Sequence, residues 1–355
     1  MLNPVEKISA LGQQVWLDNL SRQILDDGTL SRLIARGVTG ITTNPAIFHK
    51  AITGSDAYSA ALAKLQPAVE NKEQRYEALV IADVQAACDL LLPCYNRTEG
   101  QAGYVSLEVS PSLSDDSGKT CMEAKRLHAA VGRDNLLIKV PATTAGCEAL
   151  TRLIADGISV NMTLLFSVAQ VDAVAEAYIA GIRQRLAAGG DVRRVYSVAS
   201  LFLSRVDSCV DTILARENLS GSGQTAVAMA KTAYSRYCLR FHDETFSELA
   251  RQGARPQYLL WASTSTKNPA YDDLLYVKGL VGAETINTLP DATLQAVFDY
   301  GMVDHATLAD DFAESLSCLE ALAQAGIDLN AIGATLQQQG LIQFSRSFNA
   351  LLKSI

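Results

Sequence analysis

The sequence lacks the marks of several large protein classes. Its seven cysteines (Cys88, Cys94, Cys121, Cys147, Cys209, Cys238 and Cys318) are odd in number and scattered, and none forms a C-x-x-C pair. That pattern gives neither a disulfide framework nor a zinc site, and reduced thiols fit a cytosolic setting. The four histidines (His49, His128, His242 and His305) are dispersed, with no H-x-x-x-H pair, so no metal is expected. There is no basic excess. The formal net charge of −8 argues against nucleic acid or an anionic membrane as the main partner, although a local basic site for phosphate remains compatible with it. No stretch of 18 uninterrupted apolar residues occurs. The segment Met1-Leu2-Asn3-Pro4-Val5-Glu6-Lys7 has no basic and apolar leader pattern. The expectation is a cytoplasmic protein that spans no membrane.

Internal repeats, low-complexity segments and long linkers are also missing, so residues 1–355 read as one domain. Apolar residues at 48% can fill a large core. Strand-like runs fall at 14–18, 38–43, 104–109, 136–140, 158–163, 195–199, 258–262 and 284–287. Helical patterns lie between them at 26–36, 72–92, 119–131, 145–155, 168–187, 203–217 and 272–280. Eight strands alternating with helices predict a single (β/α)₈ TIM barrel. The excess over a minimal barrel of about 250 residues has three homes. These are a helical insert at 55–92, a second helix within 225–252, and a C-terminal tail of amphipathic helices over about 305–355.

One strand stands out: Leu136-Leu137-Ile138-Lys139-Val140-Pro141, apolar except for Lys139. Lysine is almost never fully buried unless paired. Burial disfavours its charged form, and a neutral amine can attack a carbonyl to form a Schiff base. A lysine that snorkels to water from the strand end is the plain alternative, and the strand alone leaves both open. Other strands end in polar residues. Ser106-Leu107-Glu108-Val109 alternates, as do Ser159, Asn161 and Thr163 against Ile158, Val160 and Met162. Asp18, Asn44, Ser200 and Ser263 close four more. Barrel active sites lie at the C-terminal strand ends, so these side chains converge on one mouth. Singly, Asp18 and Asn44 could be helix caps, and Glu108 could be the structural ion-pair partner of Lys139.

Six segments in order carry a resemblance. They are Trp16-Leu17-Asp18-Asn19-Leu20-Ser21-Arg22, Gly37-Val38-Thr39-Gly40-Ile41-Thr42-Thr43-Asn44-Pro45-Ala46-Ile47-Phe48, Ser106-Leu107-Glu108-Val109, Leu137-Ile138-Lys139-Val140-Pro141-Ala142-Thr143, Asn161-Met162-Thr163-Leu164-Leu165-Phe166-Ser167 and Ser197-Val198-Ala199-Ser200-Leu201-Phe202-Leu203-Ser204-Arg205-Val206-Asp207. Over nearly its full length the chain resembles the transaldolases, in their longer bacterial branch. The resemblance implies that Lys139 forms a Schiff base with a ketose phosphate. Asp18 then acts as base, and Glu108, Thr163 and a held water move protons. It implies Asn44, Asn161, Ser200 and Phe202 as substrate contacts, and Arg205, Ser263 and Lys267 as the phosphate site. Shorter transaldolases carry Ala-Ser-Phe-Arg on the seventh strand. This chain reads Trp261-Ala262-Ser263-Thr264 instead, with Lys267 as the substitute for the missing arginine.

Sugar phosphates are the implied partners, with no cofactor, no nucleic acid and no membrane, in a monomer or homodimer. Two rival functions remain. One is a class I fructose 6-phosphate aldolase that releases dihydroxyacetone. Aldolase-type relatives carry a tyrosine where Phe202 stands, and phenylalanine has no hydroxyl to position a protonating water, which favours the transferase. The other is a catalytically silent barrel, which the presence of Lys139, Asp18 and Glu108 argues against.

Overall fold

Short strands with both faces apolar can be satisfied only when each face is covered, and a closed parallel barrel does this. The structure is a computed structural model that describes residues 2–355. Its strands are β1 Gln13–Leu17, β2 Gly40–Ile41, β3 Tyr104–Glu108, β4 Leu136–Pro141, β5 Val160–Leu165, β6 Ser197–Phe202, β7 Tyr258–Ala262 and β8 Thr285–Leu289. They are parallel and close in sequence order, with β8 paired to β1 from Gln13–Thr285 to Leu17–Leu289. Every residue of β4, β5, β6 and β8 is buried. The expected (β/α)₈ barrel is therefore present.

Several boundaries differ from the sequence expectation, each for a local reason. The strand expected at 38–43 keeps only Gly40 and Ile41 in the ladder. Backbone bonding to β1 continues on either side, with Thr39 N–H donating to the Val15 carbonyl and Thr42 N–H to the Leu17 carbonyl at 2.9 Å each, while the Thr42 and Thr43 hydroxyls reach Asp18 Oδ1 (2.6 Å) and the Ser106 carbonyl (2.7 Å). The helix expected at 26–36 is two pieces, Arg22–Asp26 and Thr29–Ala35, divided by Gly28 at φ +73°. Residues 272–280 hold only the four-residue helix Leu275–Lys278. β5 and β6 begin and end later than expected. Leu164, at φ +62°, shifts the β5–β6 register between Met162 and Leu165.

The helices beyond one per strand include Pro4–Ala10 before β1, Pro45–Thr53 and Ser59–Ala68 ahead of the long Lys72–Arg97 that leads to β3, Thr225–Phe241 and Glu244–Arg251 before β7, and Phe312–Gln324 and Leu329–Ser354 after β8. Helix Lys72–Arg97 is long and apolar enough to cross a membrane by composition alone. Here it lies on the barrel, and its buried Asp83 pairs with Arg22 at 2.7 Å and accepts from the Tyr58 hydroxyl at 2.7 Å. The last helix, Leu329–Ser354, crosses the C-terminal strand ends. Its Gln337 amide donates to the Ala142 and Leu164 carbonyls at 2.8 and 3.0 Å. The carbonyl of the left-handed Leu164 thus finds a donor on this helix.

Gly40 is required by proximity. A Cβ there would lie 2.4 Å from the ring of the fully buried Trp16. Gly40→Ala should cost roughly 1–3 kcal/mol, as overpacking of a core does, read as a lower urea midpoint. An unchanged midpoint would show that the Trp16 ring moves aside freely.

Candidate active site

The strand ends enclose a cavity of about 110 Å³ lined by Asp18, Thr42, Asn44, Lys139, Thr163, Ser200, Phe202, Arg205, Leu260, Ala262, Ser263, Thr288 and Phe344. Lys139 forms its floor. Its side chain rises from a strand whose remaining residues are buried apolar ones and Pro141, so the amine has few polar neighbours to choose from. Nζ donates to the Thr43 carbonyl at 2.9 Å and lies 3.5 Å from Glu108 Oε2 on the neighbouring strand. β3 and β4 pair Glu108 directly with Lys139, which sets this distance. Lys139 is only 4% exposed, so it does not snorkel to water.

The carboxylates around it are tuned by burial. Burial pushes the Glu108 carboxyl up to about 7, against the pull of the Lys139 charge. Glu108 Oε1 and Thr163 Oγ1 are buried with no protein hydrogen-bond partner. Both atoms are therefore free to bond a bound water or substrate. Asp18 is also raised by burial, opposed by the Thr42 hydroxyl and the Lys139 charge. It is not a helix cap: Thr42 Oγ1 donates to it at 2.6 Å, and that hydroxyl lies 2.6 Å from Thr288 Oγ1. Asn44 does both jobs considered for it. Its Oδ1 caps helix Pro45–Thr53 through Ala46 and Ile47 N–H, while the residue lines the cavity.

A cationic wall faces this floor. Arg205 sits in the first turn of helix Ser204–Arg216, whose N-terminus has no side-chain cap. Burial lowers its pKa, and among the described residues it forms no salt bridge with a carboxylate. Its guanidinium lies 5.8 Å from the centre of the Phe202 ring, which in turn packs on Phe166 at 5.2 Å. Ser263, held at φ +55°, is 2.8 Å from the Ser204 hydroxyl.

Eight of the eleven residues picked from sequence line the one cavity: Asp18, Asn44, Lys139, Thr163, Ser200, Phe202, Arg205 and Ser263. Glu108 stands behind Lys139. Asn161 lies fully buried below Ser200, accepting from its hydroxyl at 2.7 Å and donating to Ser106 at 3.0 Å. Lys267 is not brought in. It is exposed, bonds Ser265 Oγ at 2.8 Å, and borders a separate groove with Asp207, Asp211 and Tyr271. Sequence reading missed Thr42, Thr288 and Phe344. Thr42 could have been found, because it precedes Asn44 by two residues and strand alternation puts both on one face. Among the described residues, no group of three His, Cys, Asp or Glu side chains could hold a metal.

Comparison with known proteins now decides the family. The profile described as Transaldolase/Fructose-6-phosphate aldolase matches residues 15–355. The chain belongs to the transaldolase/fructose-6-phosphate aldolase family. It is 52% identical to the transaldolase of Thiobacillus denitrificans over the whole of both chains. It is 49% identical to that of Neisseria meningitidis serogroup C, over 97% of each. With the transaldolase of Frankia alni it shares 43% identity, over 100% of this chain and 97% of the relative. The family therefore covers the barrel and its C-terminal helices alike.

The Glu108 shift predicts a pH effect. Unfolded, this carboxyl ionises near 4.5, and folded near 7. Between those values the folded chain binds more protons, so stability falls as pH rises through the window. Glu108→Gln removes that contribution. Its urea midpoint should decline less between pH 4.5 and 7 than that of the wild type. Parallel declines would mean that Glu108 titrates normally in the fold.

Proposed function

We propose that this chain is a transaldolase of the Schiff-base class. It moves a dihydroxyacetone unit between sugar phosphates, converting sedoheptulose 7-phosphate and glyceraldehyde 3-phosphate to erythrose 4-phosphate and fructose 6-phosphate. The observation that carries this is a buried amine 3.5 Å from a carboxyl raised to about 7, at the floor of the family's barrel mouth. The reading places the protein in the cytoplasmic pentose phosphate pathway, without a cofactor.

The chemistry follows from these groups. Glu108 takes the proton that leaves the Lys139 amine. The amine then attacks the C2 carbonyl of the ketose, forming a C–N bond. Glu108 returns a proton as water departs, giving an iminium, with the Thr163 hydroxyl holding the water. A group near neutrality suits both transfers. Asp18 takes the proton of the C4 hydroxyl. The C3–C4 pair flows into the iminium, and an aldose phosphate leaves behind a three-carbon enamine. In the reverse sense the enamine carbon attacks an acceptor aldehyde, Asp18 protonates its oxygen, and water releases the new ketose. Asn44 and Ser200 meet the sugar hydroxyls, and Asn161 orients Ser200 from below. Arg205, Ser263 and the uncapped helix N-terminus hold the phosphate, with Lys267 steering from the outer rim.

Borohydride with fructose 6-phosphate should trap an adduct on Lys139, located by peptide mapping. Lys139→Arg should abolish it, since guanidinium stays protonated and is not a nucleophile. Label on Lys267 or Lys278 would overturn the assignment.

Arg205→Ala should weaken phosphorylated donors by about 2–4 kcal/mol, in the range of a partly buried charge-assisted contact. Exposed Lys267→Ala should cost about 1 kcal/mol or less. Neither should much affect dihydroxyacetone as donor, and equal losses with both donors would assign these residues to structure.

The aldolase alternative turns on Phe202, which lines the cavity without a hydroxyl. Phe202→Tyr should raise acceptor-independent release of dihydroxyacetone and lower transfer. A tenfold change needs only about 1.4 kcal/mol. Wild-type release as fast as transfer would instead make the enzyme an aldolase.

A further inference from the structure

The last helix does more than cover the barrel. Gly333, Gln337, Gly340 and Phe344 fall on one stripe of Leu329–Ser354, spaced by three or four residues. This stripe faces the strand ends. A Cβ on Gly333 would lie 2.9 Å from Ser167 Cβ, and one on Gly340 would lie 2.9 Å from Leu164 Cδ2. Two positions that could each have buried a large apolar side chain are left empty, so the helix gains closeness in place of apolar contact. Gln337 then pins it to the Ala142 and Leu164 carbonyls, beyond β4 and within β5. Seven residues on, two turns along the same face, the buried Phe344 ring stands 5.6 Å from the Lys139 amine. It forms one wall of the catalytic cavity.

We infer that Phe344 shields the Lys139 adduct from water and so sets the partition between transfer and release. This rests on the transaldolase reading. The three-carbon enamine has two fates. In release, a proton from water adds to the enamine carbon. The iminium then takes up the hydroxide and the C–N bond breaks, freeing ketone and amine with one water consumed. In transfer, the same carbon bonds to the acceptor aldehyde carbon, the aldehyde oxygen is protonated, and the product iminium is hydrolysed in the same way. Hydrolysis is common to both routes, and protonation at carbon is not. An apolar ring over the adduct offers no hydrogen bond to hold a water there. Its role is to cover the amine, while Gln337, Gly333 and Gly340 position it.

The test compares wild type, Phe344→Ala and Phe344→Leu. The readout is the rate of free dihydroxyacetone formation from fructose 6-phosphate without acceptor, divided by the transfer rate to erythrose 4-phosphate. Borohydride trapping at Lys139 controls for an intact site. The ratio should rise about tenfold in Phe344→Ala, equivalent to about 1.4 kcal/mol between the two barriers. It should rise by less in Phe344→Leu, which still covers part of the amine and reports on its own if the alanine variant does not fold. A ratio unchanged in variants that trap normally, with both rates falling together, would reduce Phe344 to packing and overturn the inference alone. Absence of a Lys139 adduct in wild type would overturn the transaldolase reading itself.

Discussion

A lysine amine held inside a closed parallel sheet is the constraint on which this structure depends. Taking an ammonium out of water is expensive unless a counter-charge or acceptor meets it. β3 supplies Glu108 in direct register with Lys139, and the chain just after β2 supplies the Thr43 carbonyl. The compensation is incomplete by design of the fold. Glu108 lies at 3.5 Å, keeps one oxygen without a protein partner, and is itself pushed to about 7 by burial. This loose pair leaves a buried carboxyl oxygen free beside the amine.

The rest of the mouth keeps that pair rigid without satisfying it. Asn161 ties β5 to Ser106 on β3 and to Ser200 on β6. Thr42 joins Asp18 and Thr288 across the closure of the barrel. These bonds are short and buried, so side chains from six strands or strand ends hold one geometry. The side proposed to hold the phosphate is built differently. Arg205 and Ser263 stand at a helix start and a left-handed residue, outside the sheet, with no salt bridge from the arginine to a carboxylate among the described residues. In the proposed mechanism the floor serves proton transfer and the arginine at the rim holds the phosphate, so reacting and holding are divided.

The barrel and its floor were legible because their signals are local. Lys139 breaks an otherwise apolar run, and Glu108, Thr163 and Ser200 stand at strand positions where alternation puts polar groups inward. Errors came where tertiary contact overrides pattern. β2 is only Gly40 and Ile41, and the Thr42 and Thr43 hydroxyls bond Asp18 and the Ser106 carbonyl, partners distant in sequence that no window displays. Thr288 was lost because β8 runs two residues past its expected end. Lys267 stands in the sequence as the substitute for the arginine that shorter relatives carry on the seventh strand, yet the turn after Ser263 carries it into another groove. Phe344 lies in a tail that reads only as an amphipathic helix, and nothing in its own segment says which strand end it will meet.

That last point bears on how one barrel can host two outcomes. The amine, acid and base of the proposed mechanism lie on strands or at a strand end, and in that mechanism they form the enamine. What happens next depends on whether water or an aldehyde reaches its carbon. The two aromatic rings on the cavity wall come from different places, Phe202 from the end of β6 and Phe344 from a helix outside the (β/α)₈ count. A barrel without its last helix would keep Lys139 and lose one of these two rings. On the proposed mechanism, bond cleavage belongs to the sheet and retention of the fragment to an added helix seated on the sheet's open end. Its docking through two glycines and one amide puts close approach ahead of buried area, as a cover for a reactive intermediate must.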